Sequence, residues 1–323
     1  MTVNCPFMPL DKTVEHILVK RGYRLAGSHS AVKICHWLRQ SMLHGRPCYK
    51  QEFYGIQSHR CLQMTPTVDH CNQHCLFCWR HHNSSGIKSE DVDEPEQVLD
   101  RCIEGQRKLI TGFKGDPRCT KKMWEEANEP KQVAISLAGE PTLYPRLGEL
   151  IALCHKRGMT TFLVTNGTMP KVLEKLDPLP TQLYLTVAAP DEETYKKLCI
   201  PTFPKGWELL NKTLELLPSL KGRTRTTIRH TLVQGWNFGL DLVDKYAKLD
   251  QKADPHFIEP KGFVLVGESR QHFHLDNMPA HADILAFGQK LGDMLGYEIA
   301  GQRADSRVVV LAKDKKMLRI PGL

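Results

Sequence analysis

The chain of 323 residues contains no apolar stretch long enough to cross a bilayer, and its start, Met1 to Leu10, has neither the basic nor the apolar region of a signal peptide. The expectation is a cytoplasmic protein with no membrane partner. Internal repeats and low-complexity tracts are absent. Neither sign of charge dominates: 44 Lys and Arg against 36 Asp and Glu give +8, which suits a polyanionic partner without establishing one. Also missing is any second C-x2-C or H-x3-H pair at the spacing that closes a zinc tetrahedron. The eleven cysteines, in so long a chain without an export signal, point to metal binding or to reduced core residues rather than to a disulfide framework.

Three of those cysteines are close together: Cys71, Cys75 and Cys78, in the run Cys71-Asn72-Gln73-His74-Cys75-Leu76-Phe77-Cys78-Trp79. A C-x3-C-x2-C loop supplies three thiolates, enough for three irons of a 4Fe-4S cube with the fourth iron left open to bind a small molecule. Zinc and a purely structural cluster remain the competing readings. From Cys61 onward, short β-rich runs alternate with amphipathic helical stretches, as in βα units that build a parallel sheet. Strands are predicted at Cys61 to Val68, Gln132 to Leu137, Thr160 to Val164, Gln182 to Val187, Thr226 to Val233 and His256 to Glu259. Predicted helices lie at Pro95 to Thr111, Arg146 to Arg157, Lys171 to Leu176, Asp191 to Cys199, Lys205 to Leu217 and Leu240 to Leu249. In such folds chemistry collects at the C-terminal ends of the strands, where the cysteine loop leaves the first of them. Gly112 to Asn128 reads as an exposed excursion. A helix ending near Gly296, followed by a hairpin through Tyr297 to Ala300 and Arg307 to Ala312, is expected at the C-terminus. Three segments result: 1–60, 61–279 and 280–323.

Cys35, Cys48 and Cys61 follow one another at intervals of thirteen, and Cys71 comes ten residues later. Such cysteines are either unrelated core residues or a second ligand set that draws the N-terminal segment against the sheet. Cys5, Cys102, Cys119, Cys154 and Cys199 show no motif spacing, and a buried position is the default for those in predicted helices. His81 and His82 follow the triad, but neither completes a ligand set.

The triad resembles the signature of the radical S-adenosylmethionine superfamily, in which the open iron chelates the cofactor and one electron splits it into methionine and a 5'-deoxyadenosyl radical. The six cysteines together with Cys78-Trp79-Arg80-His81-His82, Gly139-Glu140-Pro141-Thr142-Leu143-Tyr144-Pro145, Phe162-Leu163-Val164-Thr165-Asn166 and Phe257-Ile258-Glu259-Pro260-Lys261-Gly262 resemble the tRNA 4-demethylwyosine synthases, in their archaeal single-domain form, from about Gly27 to Arg270. The resemblance implies an α/β fold, a partial (β/α)6 TIM-like barrel of the radical S-adenosylmethionine type with N-terminal and C-terminal extensions. It implies a carbon-carbon lyase that joins 1-methylguanosine at position 37 of tRNA-Phe to two carbons of pyruvate, using two 4Fe-4S clusters, S-adenosylmethionine and an external electron donor. A monomer is expected.

It further implies that Cys71, Cys75 and Cys78 hold the radical-generating cluster and that Cys35, Cys48 and Cys61 hold an auxiliary cluster, whose open iron is a place for pyruvate. Lys50 stands where a family lysine is proposed to form a Schiff base with pyruvate; the alternative is a solvated surface lysine. Gly139, Glu140 and Pro141 match the glycine-rich turn that approaches the cofactor, the plain alternative being a turn with a capping carboxylate. Thr165 and Asn166 end the next strand and are candidates for the cofactor's ribose or carboxylate, or simply a turn at Asn166-Gly167. Basic groups for tRNA are Lys121, Lys122, Arg223, Arg225, Arg229, Lys313, Lys315, Lys316 and Arg319, and an aromatic platform is sought among Tyr54, Trp79 and Trp236. The rival functions are a radical enzyme with another substrate, or a zinc-stabilised RNA-binding protein without catalysis.

Overall fold

A computed structural model describes residues 11–80 and 92–323. They fall into two compact units. The first comprises the chain up to Cys71, the stretch ending at Val164, and Leu176–Thr181. The second comprises the stretch beginning at Asn72, then Thr165–Lys175 and Gln182–Leu323.

The first unit begins with α1 (Lys12–Lys20), started by Asp11, whose carboxylate accepts from the Thr13 N–H at 2.7 Å. It buries Val14 and Leu18 against Tyr23, Ala31 and Val68. Strands β1 (Tyr23–Leu25) and β2 (Ala31–Lys33) form an antiparallel pair, and β2 continues antiparallel onto β3 (Cys61–Thr65). Between them come α2 (His36–His44) and α3 (Tyr49–Tyr54), each ended by a left-handed glycine, Gly45 and Gly55. After β3, parallel pairing continues to β4 (Gln132–Ile135) and β5 (Thr160–Thr165). β4 is buried along its whole length, as expected of a strand covered on both faces. Helices α4 (Pro95–Leu109), opened by a proline, and α6 (Leu147–Lys156) pack on each other and bury Val98, Leu99, Cys102, Leu150, Ile151 and Cys154.

The stretch Gly112 to Asn128 is largely exposed, as expected, but it is not irregular throughout. It contains α5 (Lys121–Ala127), capped by the Thr120 hydroxyl, and Phe113, Cys119, Met123 and Trp124 pack on Leu38, Met42, Leu43 and Ile110. The apolar residues are too thinly spread among Lys, Glu and Gly to show a helical stripe, and only tertiary packing makes the helix worthwhile.

The second unit takes in α7 (Pro170–Lys175) and the parallel strands β6 (Gln182–Thr186), β7 (Arg225–Leu232) and β8 (Phe257–Gly262). Their connections are α8 (Glu192–Cys199), capped by Asp191, α9 (Gly206–Leu220) and α10 (Val243–Ala253). α11 (His281–Leu295) ends at left-handed Gly296, and the expected hairpin follows as β9 (Glu298–Arg303) and β10 (Val308–Ala312). β10 also pairs antiparallel with β8, so the C-terminal segment extends this unit's sheet, and β8 continues past Glu259 to Gly262. Tyr246, Phe287, Leu291, Val309 and Leu311 share one core cluster; burying each large side chain is worth about 1.5–3 kcal/mol. Among the described residues no helix is long and apolar enough to cross a membrane.

Candidate active site

Cys35 and Cys48 occupy the residue before the first turn of α2 and of α3, and neither thiol is used in a cap hydrogen bond. Cys61 is the first residue of β3. The regular interval of thirteen is therefore one short helix and its connection, repeated twice. Two hydrogen bonds tie the start of α3 to the turn before Cys61: Cys48 N–H donates to Ser58 Oγ at 2.8 Å, and Ser58 N–H to Gln51 Oε1 at 2.9 Å. Burial pushes the Cys61 thiol well above its usual range, and the Cys35 thiol adds to this; Lys50 acts in the opposite sense, and Cys48 again raises it. Three thiols and one ammonium thus share one electrostatic neighbourhood. Lys50 is half-buried rather than solvated, with Nζ 4.6 Å from the centre of the buried Phe162 ring on β5.

The Cys71, Cys75 and Cys78 triad follows β3 through a buried turn, Thr65 to His70. In the first unit that turn is held against the end of β4. Thr65 Oγ1 donates to Ala138 O at 2.5 Å, and Glu140 N–H to His70 O at 2.8 Å. Gly139 has φ +69°, and a Cβ there would stand 1.7 Å from Thr67 O and 2.5 Å from His70 O, so only glycine fits. Glu140 is buried and caps the turn Pro141–Leu143, its Oε1 accepting from Thr142 N–H at 3.1 Å and Thr142 Oγ1 at 2.6 Å. The capping role of this carboxylate is therefore present in the structure.

In the second unit Asn72 begins the loop and is bonded to the turn after β5. Asn166 Nδ2 donates to Asn72 Oδ1 at 2.7 Å, Asn72 Nδ2 to Thr168 Oγ1 at 2.8 Å, and Thr168 Oγ1 to Asn166 Oδ1 at 2.7 Å. Thr165 is buried and its Oγ1 accepts from Gly167 N–H at 3.1 Å. The loop is also fixed to the end of α8, where His74 N–H donates to Ile200 O at 3.0 Å and Leu76 N–H to Leu198 O at 2.9 Å. Burial raises Cys78, while the Arg80 backbone N–H and then its charge lower it. The Arg80 guanidinium lies 2.9 Å from the centre of the Trp79 ring. Left-handed Gly267 approaches the same loop; a Cβ there would meet Trp79 O at 2.2 Å.

Charge buried in the second unit gives no sequence signal beyond a lone Glu in an apolar run. Glu259, fully buried on β8, accepts from Tyr184 OH at 3.1 Å and from Arg229 Nε and Nη2 at 3.1 and 3.0 Å. Arg225 donates to the Met317, Leu318 and Arg319 carbonyls. Both arginines thus have hydrogen-bond partners inside the fold. Tyr54 is fully buried and cannot serve as a stacking platform, whereas Trp79 and Trp236 are exposed. His81, His82 and Cys5 lie outside the described residues.

The donor sets suit iron-sulfur ligation. All six motif cysteines are half-buried and outside any disulfide, while Cys102, Cys119, Cys154 and Cys199 are buried and likewise not disulfide-bonded. Among the described residues no three His, Cys, Asp or Glu side chains converge as ligands of one ion do. A cube takes each thiolate on a different iron, so convergence on a single point is not what it requires.

Residues 65–240 match the model of the radical SAM superfamily, and residues 252–313 match the model described as wyosine base formation. The S-adenosyl-L-methionine-dependent tRNA 4-demethylwyosine synthase of Pyrococcus abyssi is 49% identical over 96% of this chain and 90% of its own length. That of Mus musculus is 41% identical over 95% of this chain and 42% of its own. Among solved structures, one of TYW1 with a lysine-pyruvate adduct bound gives a TM-score of 0.86 at 39% identity, over 97% of this chain and 99% of that one. An archaeal TYW1 structure gives 0.77 at 39% identity, over 94% and 96%. The expected radical SAM α/β fold is thus the observed one, and the chain belongs to the family of S-adenosyl-L-methionine-dependent tRNA 4-demethylwyosine synthases.

Proposed function

We propose that this protein makes 4-demethylwyosine by condensing 1-methylguanosine at position 37 of tRNA-Phe with two carbons of pyruvate, as a carbon-carbon lyase acting as a cytoplasmic monomer with an external electron donor. The observation that carries this reading is the grouping of Lys50 with Cys35, Cys48 and Cys61. A relative of the same fold, 39% identical, holds a lysine-pyruvate adduct. In this reading Cys71, Cys75 and Cys78 hold one 4Fe-4S cluster and Cys35, Cys48 and Cys61 a second. When bound, the first cluster and S-adenosylmethionine supply hydrogen abstraction from the unactivated methyl group of the base.

The chain's own residues do the rest. Lys50, deprotonated, attacks the pyruvate ketone and releases water as the C=N bond forms, and the Phe162 ring beneath it keeps bulk solvent away. Gly139 brings bare backbone to the turn beside His70, with Glu140 and Pro141 shaping the cofactor's edge. Asn166 fixes Asn72 next to Cys71, and Thr165 supports the turn on which Asn166 stands. The segments 1–60, 61–279 and 280–323 are taken as N-terminal extension, radical domain and C-terminal extension.

Nucleoside mass spectrometry after anaerobic incubation of reconstituted protein with methylated tRNA-Phe, S-adenosylmethionine and reductant tests the assignment. The tricyclic nucleoside should form only with pyruvate. Unchanged 1-methylguanosine alongside 5'-deoxyadenosine would withdraw the substrate. Lys50→Ala should cut product at least a hundredfold with iron content unchanged, and full product from that variant would remove the Schiff base.

A further inference from the structure

Within the cysteine loop, Gln73 is a buried amide surrounded by fixed groups. Its Nε2 donates to Tyr195 OH at 2.6 Å, and its Oε1 accepts from Cys75 Sγ at 3.3 Å. The backbone on both sides is anchored: Gln73 bridges Pro201, Thr202 N–H donates to Asn72 O at 3.1 Å, and His74 is bonded to Ile200. Tyr195, on α8, is itself buried, with Trp207 packed 5.5 Å from its ring. Gly206 leaves the space its hydroxyl needs, since a Cβ there would be 2.8 Å from it. The amide therefore has little freedom except to exchange its two ends.

That exchange is what metal binding demands. The bond from Cys75 to Oε1 needs a thiol proton, and a cysteine gives up that proton when it becomes an iron ligand. Two acceptors, thiolate and amide oxygen, would then face each other. Rotating the amide by half a turn puts Nε2 against sulfur and Oε1 against Tyr195, whose hydroxyl can donate as readily as accept. Resting on the assignment of Cys75 to the first cluster, we propose that Gln73 is a positioning residue that donates an N–H···S hydrogen bond to the Cys75 thiolate, with Tyr195 holding the amide in that orientation. Donors to ligand sulfur stabilise the reduced, more negative cluster and so ease its one-electron reduction.

The test is a potentiometric titration of the reconstituted holoenzyme with dithionite and mediators. It follows the electron paramagnetic resonance signal that changes on adding S-adenosylmethionine. Gln73→Leu should disfavour reduction by about tenfold, the worth of one such bond, which moves the midpoint negative by about 59 mV for one electron. Tyr195→Phe should shift it the same way by less. An unchanged midpoint in Gln73→Leu at full iron content overturns the proposal. Should that variant not retain iron, wild-type enzyme labelled with 15N in its glutamine side chains decides the matter: hyperfine coupling of an amide nitrogen to the reduced cluster supports it, and no coupling overturns it. Cys75→Ala with full iron and an intact signal would instead remove the premise, by a result the glutamine variants cannot mimic.

Discussion

Gly139 shows how much a missing Cβ can matter. An alanine there must both adopt φ +69° and displace Thr67 O from 1.7 Å, so Gly139→Ala should lose at least about 2 kcal/mol of stability, read as a lowered denaturant midpoint. A variant as stable as the parent would mean that the two turns separate easily. His256 makes a prediction about pH. Burial, with the Lys221 and Arg225 charges nearby, holds its imidazole below the usual 6.5, so the fold keeps it neutral, accepting from Thr226 N–H at 3.1 Å. Its stability contribution is complete above about pH 6.5. It is lost as pH falls through that value and then through the lower folded one, because the unfolded chain takes up the proton first. Melting curves between pH 7.5 and 5 should therefore decline less steeply for His256→Asn than for the parent, and identical slopes would count against this assignment.

Strands and helices were legible where the residues carried a period or a stop signal. β4 and β6 each carry an unbroken run of three apolar residues after an initial glutamine, α4 opens on a proline, and α11 stops at Gly296, each as the sequence indicates. α5 was not legible because its apolar residues answer to partners far along the chain, such as Leu38 and Met42. Trp124→Ala should accordingly cost about 2–3 kcal/mol, a value no surface loop would give; an unchanged melting temperature would return the segment to an open excursion. The same blindness hid the ion pair joining β7 and β8. Arg229 reads as a free cation until the register puts it opposite Glu259. Removing one partner strands the other inside the sheet, so Glu259→Leu should destabilise by about 3 kcal/mol in chemical denaturation, whereas simultaneous apolar replacement of both should cost much less.

For the whole molecule, iron content is the decisive count. Two cubes predict about eight irons per reconstituted chain, and Cys35→Ala should bring this to about four. About four in the parent would leave Cys35, Cys48 and Cys61 as a group of plain thiols. The cysteine spacing singled out both groups of three as candidate ligand sets, and the structure adds what spacing cannot: that Cys35 and Cys48 sit at helix starts, and that Lys50 turns inward over Phe162. The half-burial of the six motif cysteines, against the burial of the other four described, also makes the chain its own occupancy gauge. An alkylating reagent applied to metal-free protein will mark the six ahead of the four, Cys61 and Cys78 most slowly of the six because burial holds their thiols protonated. If both sets hold clusters, loaded protein will be protected at the same six, and air damage will appear as their return to reactivity one set at a time. Peptide mass fingerprints can thus say which set of cysteines is protected and which is uncovered first, without any colour being measured.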